Sequence, residues 1–295
     1  MNEKERGFSL LTSTLGDPER KPLTVAQFRT LAQRAAQMER PLTDREMQAD
    51  DLTALGYDLQ SADRIIGLLS QEDLLDRYLT RGKKMDCHPV TRLSDHYPAA
   101  LRKRLGLDAP GCLWAKGDTS FLQEPAIALV GSRDLRDENL AFAREVGRQA
   151  ALQGITLISG NARGADREAQ LSALEHGGKV ISVVADRLEK QPLTRNVLYL
   201  SMDGFNQPFS SLRALSRNRV IHAMGSLTFV AQCSLRKGGT WSGTTDNLRH
   251  GYSPVFCFGD GSPAVKELTQ MGAETIAVDK LTDLSILCEK QEKLF

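Results

Sequence analysis

Apolar positions change their period along this chain, and the change divides it. Up to about residue 110 they recur at spacings of three and four, the mark of amphipathic helices. Val25, Phe28, Leu31, Ala32, Ala35 and Met38 form one such face behind Thr24, a residue suited to capping a first helical turn. Thr43-Asp44-Arg45-Glu46 has the form of a capping box. Leu52, Leu55, Ile65, Ile66, Leu68 and Leu69 supply further stripes, and Ser70 opens a helix through Leu74, Leu75 and Leu79 that Gly82 is expected to stop. Residues 1–110 thus predict a helical N-terminal region, a packing unit without a catalytic constellation.

From residue 111 to 295 a second domain is expected, with a different pattern. Ala126-Ile127-Ala128-Leu129-Val130 is a short unbroken apolar run, typical of a parallel strand buried on both faces. An amphipathic helix follows through Leu140, Ala143, Val146, Ala150 and Leu152, ending near Gly154. Strands are predicted at Ile155–Ile158, Val180–Val184, Leu227–Ala231 and Val255–Phe258, with a helix over Ala165–His176. This alternation predicts a doubly wound, mostly parallel α/β sheet with crossover helices.

The chain has 295 residues, 41% hydrophobic and 25% charged, an ordinary globular composition. Its 38 basic and 37 acidic side chains leave a formal charge of +1, which excludes nucleic-acid binding through bulk charge but permits a local basic site. No apolar run approaches the ~20 residues of a membrane span. The apolar stretch Phe8 to Leu11 is too short for a signal-peptide core, so a soluble, cytoplasmic chain is expected. Cys87, Cys112, Cys233, Cys257 and Cys288 are widely spaced and predict neither a disulfide framework nor a zinc clip. The adjacent Cys87 and His88 are expected to point apart.

Candidate chemistry lies where strands end. Gly131, Ser132 and Arg133 follow the first strand, where free amides at a helix N-terminus attract anions and Arg133 offers a forked cation. The second strand ends in Ser159-Gly160-Asn161-Ala162-Arg163-Gly164-Ala165-Asp166, with Asp166 expected to cap the helix or to steer Arg163. Ser159, Gly160, Arg163 and Gly164 with the first loop predict a shared anion site, although a dinucleotide fingerprint is missing. In Arg217-Asn218-Arg219 one arginine is expected to face the pocket and the other the surface. Lys237-Gly238-Gly239-Thr240-Trp241-Ser242-Gly243-Thr244-Thr245 reads as a third phosphate-cradling loop or as a flexible surface loop; its ligand candidates are Lys237, Gly238, Gly239, Ser242, Gly243 and Thr244.

These segments, in this order, resemble the DNA-processing protein A (DprA/Smf) family. The matching residues include Asp95-His96-Tyr97-Pro98, Leu113-Trp114-Ala115-Lys116-Gly117, Ala128 to Arg133, Ser159-Gly160-x-Ala162-Arg163-Gly164-x-Asp166 and Arg217 to Ile221. The resemblance implies a Rossmann-like domain that binds single-stranded DNA, usually as a homodimer, and helps load RecA recombinase during transformation. It departs from the family pattern at Asn161, Gln170, Ala185 to Leu188 and Gly238 to Asp246, and a C-terminal winged helix is not expected.

The leading expectation is a non-catalytic module, without cofactor or membrane, in which Arg133, Arg163 and Arg219 contact successive phosphates. Two alternatives use the same pocket. One is a sensor of a nucleotide-derived signal, as in phage defence. The other is an enzyme, because Gly238-Gly239-Thr240-x-x-Gly243-Thr244-x-Asp246 is similar to the Pro-Gly-Gly-x-Gly-Thr-x-x-Glu loop of cytokinin-activating phosphoribohydrolases, with Arg219 and Asp246 in the catalytic places. Trp241 either crowds or stacks in that pocket, or packs into the core.

Overall fold

The computed structural model describes residues 1–37, 46–202, 204–284 and 287. Met38, the candidate capping box at Thr43 to Arg45, and Cys288 lie outside the described residues. The N-terminal region contains α1 (Glu3–Thr12), α2 (Val25–Ala35), α3 (Ala49–Ala54), α4 (Leu59–Leu69) and α5 (Glu72–Lys84). Thr24 caps α2 as expected: its side chain accepts from the Gln27 amide while Gln27 reaches back to the Thr24 amide. Leu11, Leu23, Leu31, Leu52, Ala62, Ile65 and Leu68 bury a core of their own. The buried Arg20 guanidinium ties that core together by donating to the Leu10, Ser13 and Leu68 carbonyls and to Gln71.

Two expectations for this region are corrected. Gly82 does not stop α5; it lies inside the helix, where a Cβ would stand 2.7 Å from the Trp114 ring and 3.0 Å from the Cys87 carbonyl. Residues expected to be helical also include β1 (His88–Thr91), which pairs antiparallel with β2 (Cys112–Lys116) beyond α6 (Ala99–Leu105). At the start of β1, Cys87 is buried and His88 exposed, so the two side chains point apart as expected.

The rest alternates: β3 (Ala126–Val130), α7 (Asp137–Leu152), β4 (Thr156–Ser159), α8 (Ala165–Glu175), β5 (Val180–Val183), β6 (Val197–Ser201), α9 (Ser211–Met224), β7 (Thr228–Val230), α10 (Gly238–His250), β8 (Val255–Phe258), α11 (Pro263–Gln270) and β9 (Glu274–Ile276). Among the described residues the strands form one nine-stranded sheet in the order β1-β2-β6-β5-β4-β3-β7-β8-β9. From β6 to β9 neighbours are parallel, and β1 and β2 add an antiparallel edge. The sheet is Rossmann-like and doubly wound.

Both of its faces are covered. Ala126, Ala128 and Val130 face a core with Val220, Ile221 and Met224 of α9, while Ile127 and Leu129 face Phe142 and Val146 of α7 and Ala165 and Ala169 of α8. That is why β3 reads as an unbroken apolar run. β1, β2, β6 and β9 were not among the strands expected from the sequence. Among the described residues no helix is long and apolar enough to cross a membrane.

Candidate functional site

The strand order reverses at β3. From there the chain winds through β4, β5 and β6 to one side, and β7, β8 and β9 extend to the other. At such a switch point the loops leaving adjacent strands diverge and open a crevice at the carboxyl ends of the sheet. The loops after β3 and β7 flank this opening here, and hydrogen bonds hold them together. The Ser132 amide and hydroxyl both donate to the Gln232 carbonyl, at 2.9 and 3.1 Å. The Ala165 amide, first in α8, donates to the Ser132 carbonyl at 3.1 Å.

The crevice has a main lobe of about 690 Å³ and a second lobe of about 410 Å³. Gly131, Ser132, Arg133, Asp166, Arg217, Asn218, Lys237, Gly238, Gly239 and Ser242 line the main lobe. Gly160 and Arg163 line the second, and Arg133 and Arg217 serve both. Two helices start here without a side-chain cap: α8 behind Gly164 and α10 behind Lys237. Each brings the positive end of its helix dipole here, and in α8 the Ala165 and Arg167 amides donate to the Ser132 and Ala162 carbonyls. Gly164 is needed at this turn, because its φ is +88° and a Cβ would stand 2.4 Å from the carbonyl oxygens of both Ser132 and Arg133.

Segment 237–245, expected as a loop, is instead the cap and first two turns of α10. Its glycines and hydroxyls suggested flexibility, yet tertiary contacts hold it helical. The Thr240 hydroxyl donates to the Gly131 carbonyl at 2.9 Å, and the Asn218 amide group donates to the Gly239 carbonyl at 3.0 Å. Farther along, Gly243 packs against Asn218 and His222 and Thr244 is fully buried, so neither lines the crevice.

At the bottom sits a buried ion pair. Arg217 Nη1 stands 3.6 Å from Asp166 Oδ2, and both side chains are less than a tenth exposed. Burial pushes the Asp166 carboxyl up, while Arg217 and the amides of Ala162 and Gly160 draw it back. The Nη1 edge of the guanidinium sits against Gly160: a Cβ there would stand 1.0 Å from Nη1 and 2.1 Å from Cζ. Its Nε and Nη1 find no hydrogen-bond partner. Each buried unsatisfied donor costs about 1–3 kcal/mol.

Several expected placements change. Asp166 pairs with Arg217, not with Arg163, whose partner is Asp134 at 2.7 Å on the exposed lip. Ser159 is fully buried and donates to the Leu129 carbonyl at 2.7 Å, so its hydroxyl is already committed. Arg217, not Arg219, is the arginine of its motif that enters the crevice. Two residues on in a helix is about 200° around it, and Arg219 turns away to Asp246 at 3.1 Å and Asp108 at 3.7 Å.

Asp246 stands eight residues into α10, about 12 Å from its start. There it accepts from Tyr252 and contacts His250, outside both lobes. Trp241 packs against the core. Sequence reasoning missed Phe209, which is 56% exposed and lines both lobes. Its signal was a lone aromatic residue in the polar turn just before the Ser210 cap of α9.

The family of DNA recombination-mediator protein A matches residues 88–276, from the first residue of β1 to the last of β9. The chain belongs to this family. It is 30% identical over 156 residues to the DNA processing protein DprA of Streptococcus pneumoniae, a match covering 50% of this chain and 54% of that protein. The match thus spans about half the length of that curated relative. The solved structure of the family's Streptococcus pneumoniae member superposes with a TM-score of 0.70 at 23% identity, covering 94% of this chain and 95% of that one. A structure of DNA processing protein A from Helicobacter pylori, described for its single-stranded DNA binding mode, gives a TM-score of 0.55 at 21% identity and covers 71% and 97%. Both share the family fold with this chain.

Proposed function

We propose that this chain binds single-stranded DNA in the crevice without chemically altering it. It does so as a cytoplasmic homodimer in DNA processing linked to transformation, and presents the strand to RecA. The observation that carries this reading is Arg217, a buried guanidinium with unpartnered N–H groups between two uncapped helix N-termini. Such a cradle suits phosphate oxygens. Arg133, exposed at the junction of the lobes, supplies a second contact. Arg163 and Lys237 stand at the rim, and Phe209 offers a ring to a base. The hydrolase alternative loses its support, because Asp246 and Arg219 pair with each other outside the crevice.

The test is a titration of labelled oligothymidylate over a salt series, followed by fluorescence anisotropy. Arg133→Ala, at an exposed position, is expected to weaken binding and to flatten the dependence of log K on log salt by ~0.7, the share of one phosphate. An unchanged slope rejects the crevice as the phosphate site. Nucleoside monophosphates titrated in the same buffer separate a strand-binding site from a small-nucleotide sensor.

A further inference from the structure

We infer that a strand held in the crevice leaves it over a basic stripe leading onto α5, so that the N-terminal helices carry part of the nucleic-acid surface. This inference rests on the reading of the crevice as a DNA site.

The second lobe ends at Ala185 and Asp186, just past β5. The next residue, Arg187, is exposed, and a 3-10 turn over Leu188–Lys190 follows. Leu188 is fully buried and anchors the turn, leaving Arg187 and Lys190 outside. Glu189 of the same turn accepts from Arg81 of α5 at 3.3 Å, and its carbonyl accepts from Lys116 at 3.2 Å.

α5 is locked in that position. The Tyr78 ring stacks on Phe205 at 4.6 Å and meets Trp114 edge-on at 5.0 Å, while its hydroxyl donates to Asn206 at 3.0 Å. Phe205 and Asn206 follow β6, so α5 borders the same carboxyl rim of the sheet into which the crevice opens. Arg77, Arg81 and Lys84 recur at spacings of four and three, on one face of α5, and all are exposed.

Several cations along this path lack an ion-pair partner. Among the described residues no carboxylate lies within ion-pair range of Arg77, Lys84, Arg187 or Lys190. Glu189 is largely buried and answered by Arg81. Asp186 accepts from Gln191, and exposed Asp73, one turn before Arg77, and exposed Asp86, just past Lys84, flank the stripe without pairing with it. Unpaired cations strung along a surface, on a chain whose formal charge is only +1, suit a polyanion that follows the same line. Single exposed cations without a pocket suit backbone phosphates and impose no sequence preference.

The experiment compares oligothymidylates of about four and about sixteen nucleotides, the range of single-strand site sizes. The full chain is compared with the variant Arg77→Gln/Lys84→Gln/Arg187→Gln/Lys190→Gln. Arg81 is kept so that its contact with Glu189 remains. The short strand is expected to bind equally to both proteins, which also shows that the variant is folded. The long strand is expected to bind the variant more weakly, with the salt slope flattened by ~0.7 for each phosphate that the variant no longer neutralises. Equal binding of the long strand by both proteins overturns the stripe. Equal weakening of both strands overturns it too, since the cations would then act on the crevice as a general field. Failure of the original chain to bind either strand rejects the crevice reading and this inference with it.

Discussion

Arg217 and Gly160 act as a matched pair: the guanidinium occupies the volume that a side chain at 160 would fill. Gly160→Ala should therefore evict Arg217 from its seat above Asp166 while leaving both charges in the protein. A charge-assisted hydrogen bond is worth about 1.5–3 kcal/mol, so single-strand affinity is expected to fall by roughly ten- to a hundredfold. Anisotropy titration of the purified variant measures this, with near-ultraviolet circular dichroism as the check on packing. Unaltered affinity would mean that Arg217 does not hold a phosphate. At this scale the sequence was legible by type. It marked glycine, serine and arginine at strand ends, but the partner of each charge was hidden, because Asp166 and Arg217 are far apart in the chain and meet only when α9 packs across β3, β4 and β5.

Helices α9 and α10 shape the crevice from one side, and their contact has a buried polar centre. His222 is fully buried, and the Asn247 side-chain amide lies 3.1 Å from its Nδ1. Asn247 also donates to Ser253, which exchanges a hydrogen bond with Thr228. That arrangement makes Nδ1 the acceptor and places the ring proton on Nε2, which has no partner. Burial pushes the His222 pKa down from 6.5 to about 4.

The unfolded chain therefore takes up a proton that the folded chain excludes. Stability is full above the ordinary histidine pKa and is lost as pH falls from 6.5 toward 4, at up to ~1.4 kcal/mol per pH unit. Urea midpoints measured between pH 7 and pH 5 should fall for the original chain and stay flatter for His222→Gln; parallel losses would exclude His222 as the cause. The identity of these elements was only partly readable. The motif from Arg217 to Ile221 was recognisable by residue type, whereas α9 itself begins earlier, at Ser211. The first turns of α10 looked like a loop, because local propensity there is poor and Thr240 and Asn218 supply the difference through tertiary hydrogen bonds.

Over the whole molecule, the proposed reading gives one crevice only a few phosphate contacts, so a lone copy would hold a sequence-neutral strand weakly. Two copies on one strand gain from the second binding event being intramolecular. The expected assembly is a homodimer joined through the α/β region, with the N-terminal helices left outside the interface. Sedimentation at micromolar concentration, with and without oligonucleotide, tests it, and a monomer in both conditions removes the dimer from the proposed function.

The sheet itself shows where sequence stops being informative. The unbroken apolar run at β3 and short, mostly apolar runs at β4, β5, β7 and β8 announce buried strands, and the helical periods between them announce crossovers, so the doubly wound class was determined locally. The strand order, the addition of β1 and β2 as an antiparallel edge, and the reversal at β3 were not. They depend on which hydrogen-bonding edges meet, and backbone edges are chemically alike in every strand. The same limit governs the site. Residue types at strand ends marked the loops that line the crevice, whereas the choice of Arg217 over Arg219, the partner of Asp166 and the displacement of Asp246 from the crevice were decided by packing, which sets the rotation of α9 and α10 against the sheet.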